Sequence, residues 1–260
     1  MSKHTAFPLI AAASLLLCAT LARAQGNYEV QVYGSETVPA GETMVEFHTN
    51  VTLEGSKDRT GAILPTEHQL HETLEITHGF TPWFEIGYYN FTSAQAGYAW
   101  NWVGAHLRPR IAAPKSWDLP VGLSLSMEIG YQRPLYSADT WTWEIRPIVD
   151  RKLGRWYLAF NPALERSLHG ESSKSGFEFS PNWKTSFDVT RKVAAGIEYY
   201  GSLGPLSGFN ALRDQQQQIL PAIDLDLGER WEFNLGVGVG VTRSTDHLLI
   251  KWILGYRLGK

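Results

Sequence analysis

Two stretches near the end of the chain keep strict two-residue alternation. Trp231, Phe233, Leu235, Val237, Val239 and Val241 interleave with Glu232, Asn234, Gly236, Gly238, Gly240 and Thr242. After a short turn, Leu248, Ile250, Trp252, Leu254, Tyr256 and Leu258 repeat the pattern against Leu249, Lys251, Ile253, Gly255 and Arg257. Successive strand side chains point to opposite faces, so each segment builds one apolar face and one polar or small one. The alternation does not say which face points inward. A soluble sandwich turns the apolar face in; a membrane barrel turns it out.

The rest of the chain decides between them. Twelve such segments are expected, at 43–54, 68–78, 83–93, 98–111, 121–132, 141–152, 155–167, 177–189, 193–202, 217–228, 231–243 and 247–258. Each is close to the roughly 9–11 residues a tilted transmembrane strand needs, and long for a sandwich, where about five or six is usual. Gly79–Pro82, Lys152–Arg155, Thr190–Lys192 and Gly228–Arg230 are tight turns, with Ala112–Pro120 a longer link on the same side. Gly55–Glu67, Arg133–Thr140, Leu168–Gly176 and Leu203–Gln216 are longer links on the other side. Short periplasmic turns and long outer loops are the habit of outer-membrane barrels. An all-β, single antiparallel transmembrane barrel of about 12 strands over 43–260 follows.

Composition agrees. Ten tryptophans and eleven tyrosines suit rings seated at a membrane interface, one end apolar and the other hydrogen-bonding. Mean hydropathy is −0.20, which is uninformative for a barrel whose strands average out. Residues 1–24 read as a cleaved signal peptide: Lys3, an apolar core from Phe7 to Leu21, then Ala22-Arg23-Ala24. Cleavage would remove Cys18, the sole cysteine, and leave a net charge of about −5. No nucleic-acid partner is expected of such a chain. The expected location is the cell outer membrane, with lipid and a small solute as partners. Residues 25–42 would form a periplasmic arm or a lumen plug.

A phrase recurs at the turns: Leu74-Glu-Ile-Thr-His-Gly-Phe-Thr-Pro-Trp-Phe-Glu-Ile-Gly87, echoed from Phe187 to Gly196 and from Leu225 to Gly236. It resembles the turn phrase of the outer-membrane barrel family of transporters of a phenol meta-degradation pathway. The resemblance covers most of 43–258. It implies an outer-membrane protein passing small, hydrophobic or aromatic compounds, with no catalytic residues to carry over. The ending Tyr256-Arg-Leu-Gly-Lys260 departs from the terminal aromatic common among outer-membrane barrels.

If the apolar sets face lipid, the other sets line the lumen. Those are Glu46, His48, His71, Glu75, Glu85, His106, Arg108, Arg110, Glu128, Glu144, Arg146, Glu178, Lys184, Glu198, Asp224, Glu232, Lys251 and Arg257, together with Asp150, Glu165, Asp188 and Asp226. Two consequences are expected. Opposite charges bridge and stiffen the barrel, and the acidic surplus disfavours anions in any passage that remains. The function expected is therefore a passive channel for small solutes, with a sealed structural or adhesive barrel as the alternative.

The histidines read as hydrogen-bonded lining residues, with neither metal nor cofactor expected. His68 and His71 are three apart and on opposite strand faces, so they do not clamp one ion. An enzyme is not expected either. A surface hydrolase needs His beside a hydroxyl nucleophile. The nearest sequence candidates are His78 with Thr77, His169 with Ser167 or Ser172, and Asp246-His247. Glu72 falls on the lipid face and breaks the pattern, suggesting a bulge or a rim position. Pro109, Pro147, Pro162, Pro181 and Pro221 interrupt strands on the outward face, where bulges are expected.

Overall fold

The structure is a computed structural model and describes residues 28–259. The expected signal peptide lies outside the described residues. Thirteen strands form one antiparallel sheet. These are β1 (Thr43–Glu54), β2 (Leu70–Thr81), β3 (Phe84–Gln95), β4 (Tyr98–Ala112), β5 (Gly122–Gln132), β6 (Asp139–Leu153) and β7 (Trp156–Gly170). They are followed by β8 (Phe177–Asp188), β9 (Val193–Ser202), β10 (Gly204–Pro205), β11 (Gln216–Asp226), β12 (Trp231–Gly240) and β13 (Leu248–Leu258). Pairing of β1 with β13 closes the sheet, giving a barrel of twelve long strands as the alternation predicted. The two-residue β10 was not foreseen. Along β8, pairing with β9 runs only as far as Asn182, and the link after β9 folds back to pair Gly204 with Phe179. Closure removes the exposed edges that an open sheet would present.

The outer surface is apolar and ringed by aromatics at two heights. At the short-turn end Trp156 packs on Phe187 (4.9 Å between centroids) and Trp231 on Tyr256 (4.6 Å). At the long-loop end Tyr131 lies between Trp102 (6.0 Å) and Trp141 (5.6 Å). Between the rings, Leu107, Ile129, Leu158, Phe160, Ile197 and Val237 are exposed. Glu72 does face outward, with no register shift beside it. Its Oε2 accepts the Thr49 hydroxyl at 2.6 Å, a cross-strand partner that meets part of its polar demand.

The prolines correct an expectation at four of the five positions; only beside Pro181 does the register slip, with three residues against two between Asn182–Tyr200 and Phe179–Gly204. Leu107 pairs with Ile129 and Arg110 with Ser126, in unchanged register across the gap at Pro109. The β6–β7 ladder likewise lapses between Ile145–Leu164 and Val149–Phe160, around Pro147 and Pro162. The β11–β12 ladder lapses around Pro221. Each of these strands stays paired on its other side, with Pro162 directly opposite Pro181. At Pro109, Pro147, Pro162 and Pro221 a missing N–H interrupts a ladder without adding a residue, so the wall there stays in phase.

The interior is filled through its middle. Residues 28–42 are not a strand; they run inside the barrel. Val30 and Val32 pack with Ala159, Tyr200, Leu220 and Leu249, while Tyr28 packs with Leu64, Tyr89, Phe91, Val103 and Tyr136. Backbone groups of the segment are met by wall side chains. Asn161 both accepts from Tyr33 N (2.7 Å) and donates to Tyr33 O (3.0 Å). Thr73 donates to Tyr28 O (2.6 Å), Lys251 to Val30 O (2.7 Å), and Arg110 to Gly34 O (3.1 Å) and Glu36 O (2.7 Å). Two glycines make room for it. A Cβ on Gly79 would sit 2.2 Å from Val38 O, and one on Gly122 would sit 2.1 Å from Ser35 Oγ.

Candidate functional site

Tyr33 is the centre of the filled section. Its ring lies 5.0 Å from the Arg108 guanidinium, 5.2 Å from that of Arg146 and 5.9 Å from that of Arg110. Guanidinium over an aromatic face contributes about 0.5–2 kcal/mol per contact, more where water is excluded. The Tyr33 hydroxyl donates to Glu29 and lies 3.0 Å from the Tyr89 hydroxyl.

Two ion-pair networks flank the segment. On β2–β4, Arg108 reaches Glu75 at 2.5 Å and Glu85 at 3.3 Å, and Arg110 reaches Glu85 at 2.7 Å. On β8, β9, β11 and β13, Lys251 reaches Glu198 at 2.5 Å, while Lys184 reaches Glu198 at 3.1 Å and Asp224 at 2.7 Å. Tyr200 donates to Glu198 (2.7 Å) and Asn234 to Asp224 (2.7 Å). A buried charge without a partner costs several kcal/mol, which is why these groups come as networks.

This section separates two cavities with no lining residue in common. The one at the long-loop end has a volume of about 360 Å³. Tyr28, Phe91, Tyr136, Ile63 and Leu64 give it an apolar side. Glu29, Glu128, Asp139, Glu144, Glu165, Glu171 and Glu178 give it an acidic one, with Arg146 the single arginine and no lysine among the described residues that line it. The loop 55–69 partly roofs it: Leu64 N donates to Leu135 O (2.9 Å) and Thr66 to Asp246 (2.6 Å). In the same loop the Gly55 N–H donates to Glu67 (2.8 Å) and holds that carboxyl below its usual range.

The cavity at the short-turn end is larger, about 1400 Å³. Its acids Glu36, Glu46, Glu75, Glu85, Asp118, Asp150 and Glu232 are nearly matched by Arg108, Arg110, Lys115, Arg151, Lys152 and Arg257.

The lining residues expected from the alternation are thus distributed over three levels. His71, His106, Glu128, Glu144, Arg146 and Glu178 line the long-loop cavity. Glu46, Glu75, Glu85, Arg108, Arg110, Glu232 and Arg257 line the short-turn cavity. Lys184, Glu198, Asp224 and Lys251 form the second network, and His48 is buried with its Nε2 3.2 Å from Glu75. Asp188 pairs with Lys152 near the short turns (2.6 Å). Sequence reasoning missed Tyr33, Tyr89, Asn161 and Tyr200. Tyr89, Asn161 and Tyr200 sit at inward parity but are neither charged nor outward-facing, so a search for charge passes over them.

The hydrolase candidates are dispersed. Ser167 donates to Asp139 (2.7 Å), whereas His169 Nδ1 lies 2.8 Å from the Thr140 hydroxyl. His78 Nδ1 lies 2.9 Å from the Thr43 hydroxyl, not from Thr77, which donates to Glu75. The Asp246 carboxylate accepts from Thr66 and the His247 N–H donates to Glu54 O.

No family model matches the chain and no curated protein matches it, so the phenol-pathway resemblance rests on its turn phrases alone. Solved structures do match. The KdgM porin and the NanC porin each align at TM-score 0.51 and 8% identity, covering 84% of this chain and 99% of theirs. LpxR from Salmonella typhimurium aligns at TM-score 0.42 and 9% identity, over 82% of this chain and 99% of its own, too loosely to carry an argument about catalysis. At such identities the likeness speaks to fold, and the fold is that of an outer-membrane β-barrel of the porin kind.

Proposed function

We propose that the protein is an outer-membrane channel for small solutes, closed at rest by residues 28–42, with its acid-lined cavity facing outward. The observation that carries this reading is the division of the lumen. Two cavities that open at opposite ends are separated by a section built around a segment that belongs to no strand. Wall strands are held by backbone ladders on both sides, whereas this segment is held by side-chain hydrogen bonds, ring contacts and ion pairs. It is therefore the element that can move without breaking the barrel.

The outer cavity also selects a solute class. Seven acidic residues against one arginine disfavour anions. Tyr28, Phe91 and Tyr136 beside them offer ring faces to an apolar or aromatic body. A neutral or cationic solute with an aromatic face fits both features. The KdgM porin has been solved with oligogalacturonate, a polyanion, and a mouth of the present composition suits the opposite charge.

The test is uptake into vesicles by the mature chain and by a variant lacking residues 28–38, using an aromatic amine, its neutral analogue and an aromatic carboxylate of equal size. The expected order is amine, then neutral, then carboxylate, with faster uptake in the shortened chain. Equal uptake of amine and carboxylate would overturn the solute class. No uptake by either chain favours the sealed barrel, for which the mid-lumen ion pairs are the supporting observation.

A further inference from the structure

Two carboxylates face each other across the first hairpin of the barrel. Glu46 on β1 stands directly opposite Glu75 on β2, and they are 6% and 1% exposed. Like charges opposite one another on one sheet face repel, so the pair demands a counter-charge. Arg108 supplies it at one atom only, with Nη2 2.5 Å from Glu75 Oε1. Its Nη1 and Arg110 are directed at Glu85. Glu75 Oε2 and Glu46 Oε1 are left buried without a hydrogen-bond partner.

His48 lies two residues along β1, on the same face, and is 1% exposed. Among the described residues neither ring nitrogen makes a hydrogen bond, and Nε2 lies 3.2 Å from Glu75 Oε2. Ligand atoms of Glu46, His48 and Glu75 all fall within 4.8 Å of one another. Contact with His48 answers Glu75 but leaves Glu46 Oε1 unmet. One cation between the three answers all of them.

Bond lengths of about 2.0–2.2 Å to nitrogen and oxygen require ligand separations somewhat below 4.8 Å, within reach of a carboxylate side chain's torsions. Gly255, opposite Glu46 on β13, gives that side chain room: a Cβ there would stand 3.0 Å from Glu46 Cγ. Glu46 and Glu75 line the short-turn cavity, which provides access and space for water as a further ligand. A mixed imidazole and carboxylate set favours zinc-class ions over magnesium, which prefers oxygen ligands and retains its waters. We propose that Glu46, His48 and Glu75 form a buried three-ligand site for a zinc-class divalent cation on the wall of the lumen.

The test uses the mature chain folded in detergent, without a histidine tag, stripped with chelator and then titrated with Zn²⁺ by calorimetry. Co²⁺ absorption in the visible reports on coordination. About one zinc per chain is expected, with affinity reduced at least tenfold in His48→Gln and in Glu46→Gln. His71→Gln, which alters an equally buried lumen histidine outside the cluster, should leave binding unchanged. Folding is checked by heat-dependent gel mobility. Should His48→Gln fail that check, the near-isosteric Glu46→Gln carries the test. Absence of stoichiometric zinc, or affinity undiminished in the folded variants, would overturn the proposal.

Discussion

The two halves of the lumen carry the same number of acidic residues and behave as opposites. At the short-turn end seven acids face six basic side chains within the same cavity, and the surface is close to neutral. At the long-loop end seven acids face one arginine, which is itself drawn to Glu144 (2.6 Å) and Glu29 (3.3 Å). A count of inward carboxylates along the sequence cannot see this. Selectivity depends on which charges share a cavity, and that is fixed by strand register and by the segment dividing the lumen.

The divider between the two cavities is where substitution has the largest expected effect. Tyr33→Ala removes a ring held by three guanidiniums and two hydroxyl contacts. It should lower barrel stability by about 3–5 kcal/mol in urea unfolding, as for other buried aromatics. Tyr33→Phe should lose only the hydroxyl's share. Lys251→Met leaves Glu198 with one fewer cation and Val30 O without its donor; a loss of about 3 kcal/mol is expected by the same measurement. A loss no larger than that of Lys184→Met, at a less buried site, would argue against the network as a holder of the segment.

The two mouths should then respond unequally to neutralisation. Glu144→Gln with Glu165→Gln at the long-loop end should cut cation-over-anion preference about fivefold, read from reversal potentials across a salt gradient. Glu232→Gln at the short-turn end should change it by less than about twofold. Equal effects would erase the distinction. The smallest effect belongs to the wall. Pro162→Val with Pro181→Val should shift stability by under about 1 kcal/mol and leave uptake of apolar solutes unchanged, since the ladder there stays in phase. Altered uptake would point to a route through the wall instead.

The barrel was legible because its physics is local. Alternation from Trp231 to Leu258 needs only neighbouring residues to be read, and strand length with turn asymmetry then chose the apolar face as the outer one. The proline positions were legible, but their consequence was not. A bulge and a skipped hydrogen bond look alike in sequence, and only register across Pro109, Pro147 and Pro221 tells them apart. Residues 28–42 were the least legible. Their order follows from contacts with Asn161, Lys251 and Arg110, far away in the chain, and their own pattern suits an arm as well as a plug. Gly79 and Gly122 mark where the segment passes, yet nothing in the sequence distinguishes them from other inward glycines.

In the proposed channel, residues 28–42 hold the two halves of the lumen apart. Single-channel recording in a planar bilayer tests this, comparing the full chain with one lacking residues 28–38, both verified as folded. Long closed periods with rare openings are expected in the first and sustained, cation-preferring conductance in the second. Identical conductance in the two, whether open or silent, would contradict it.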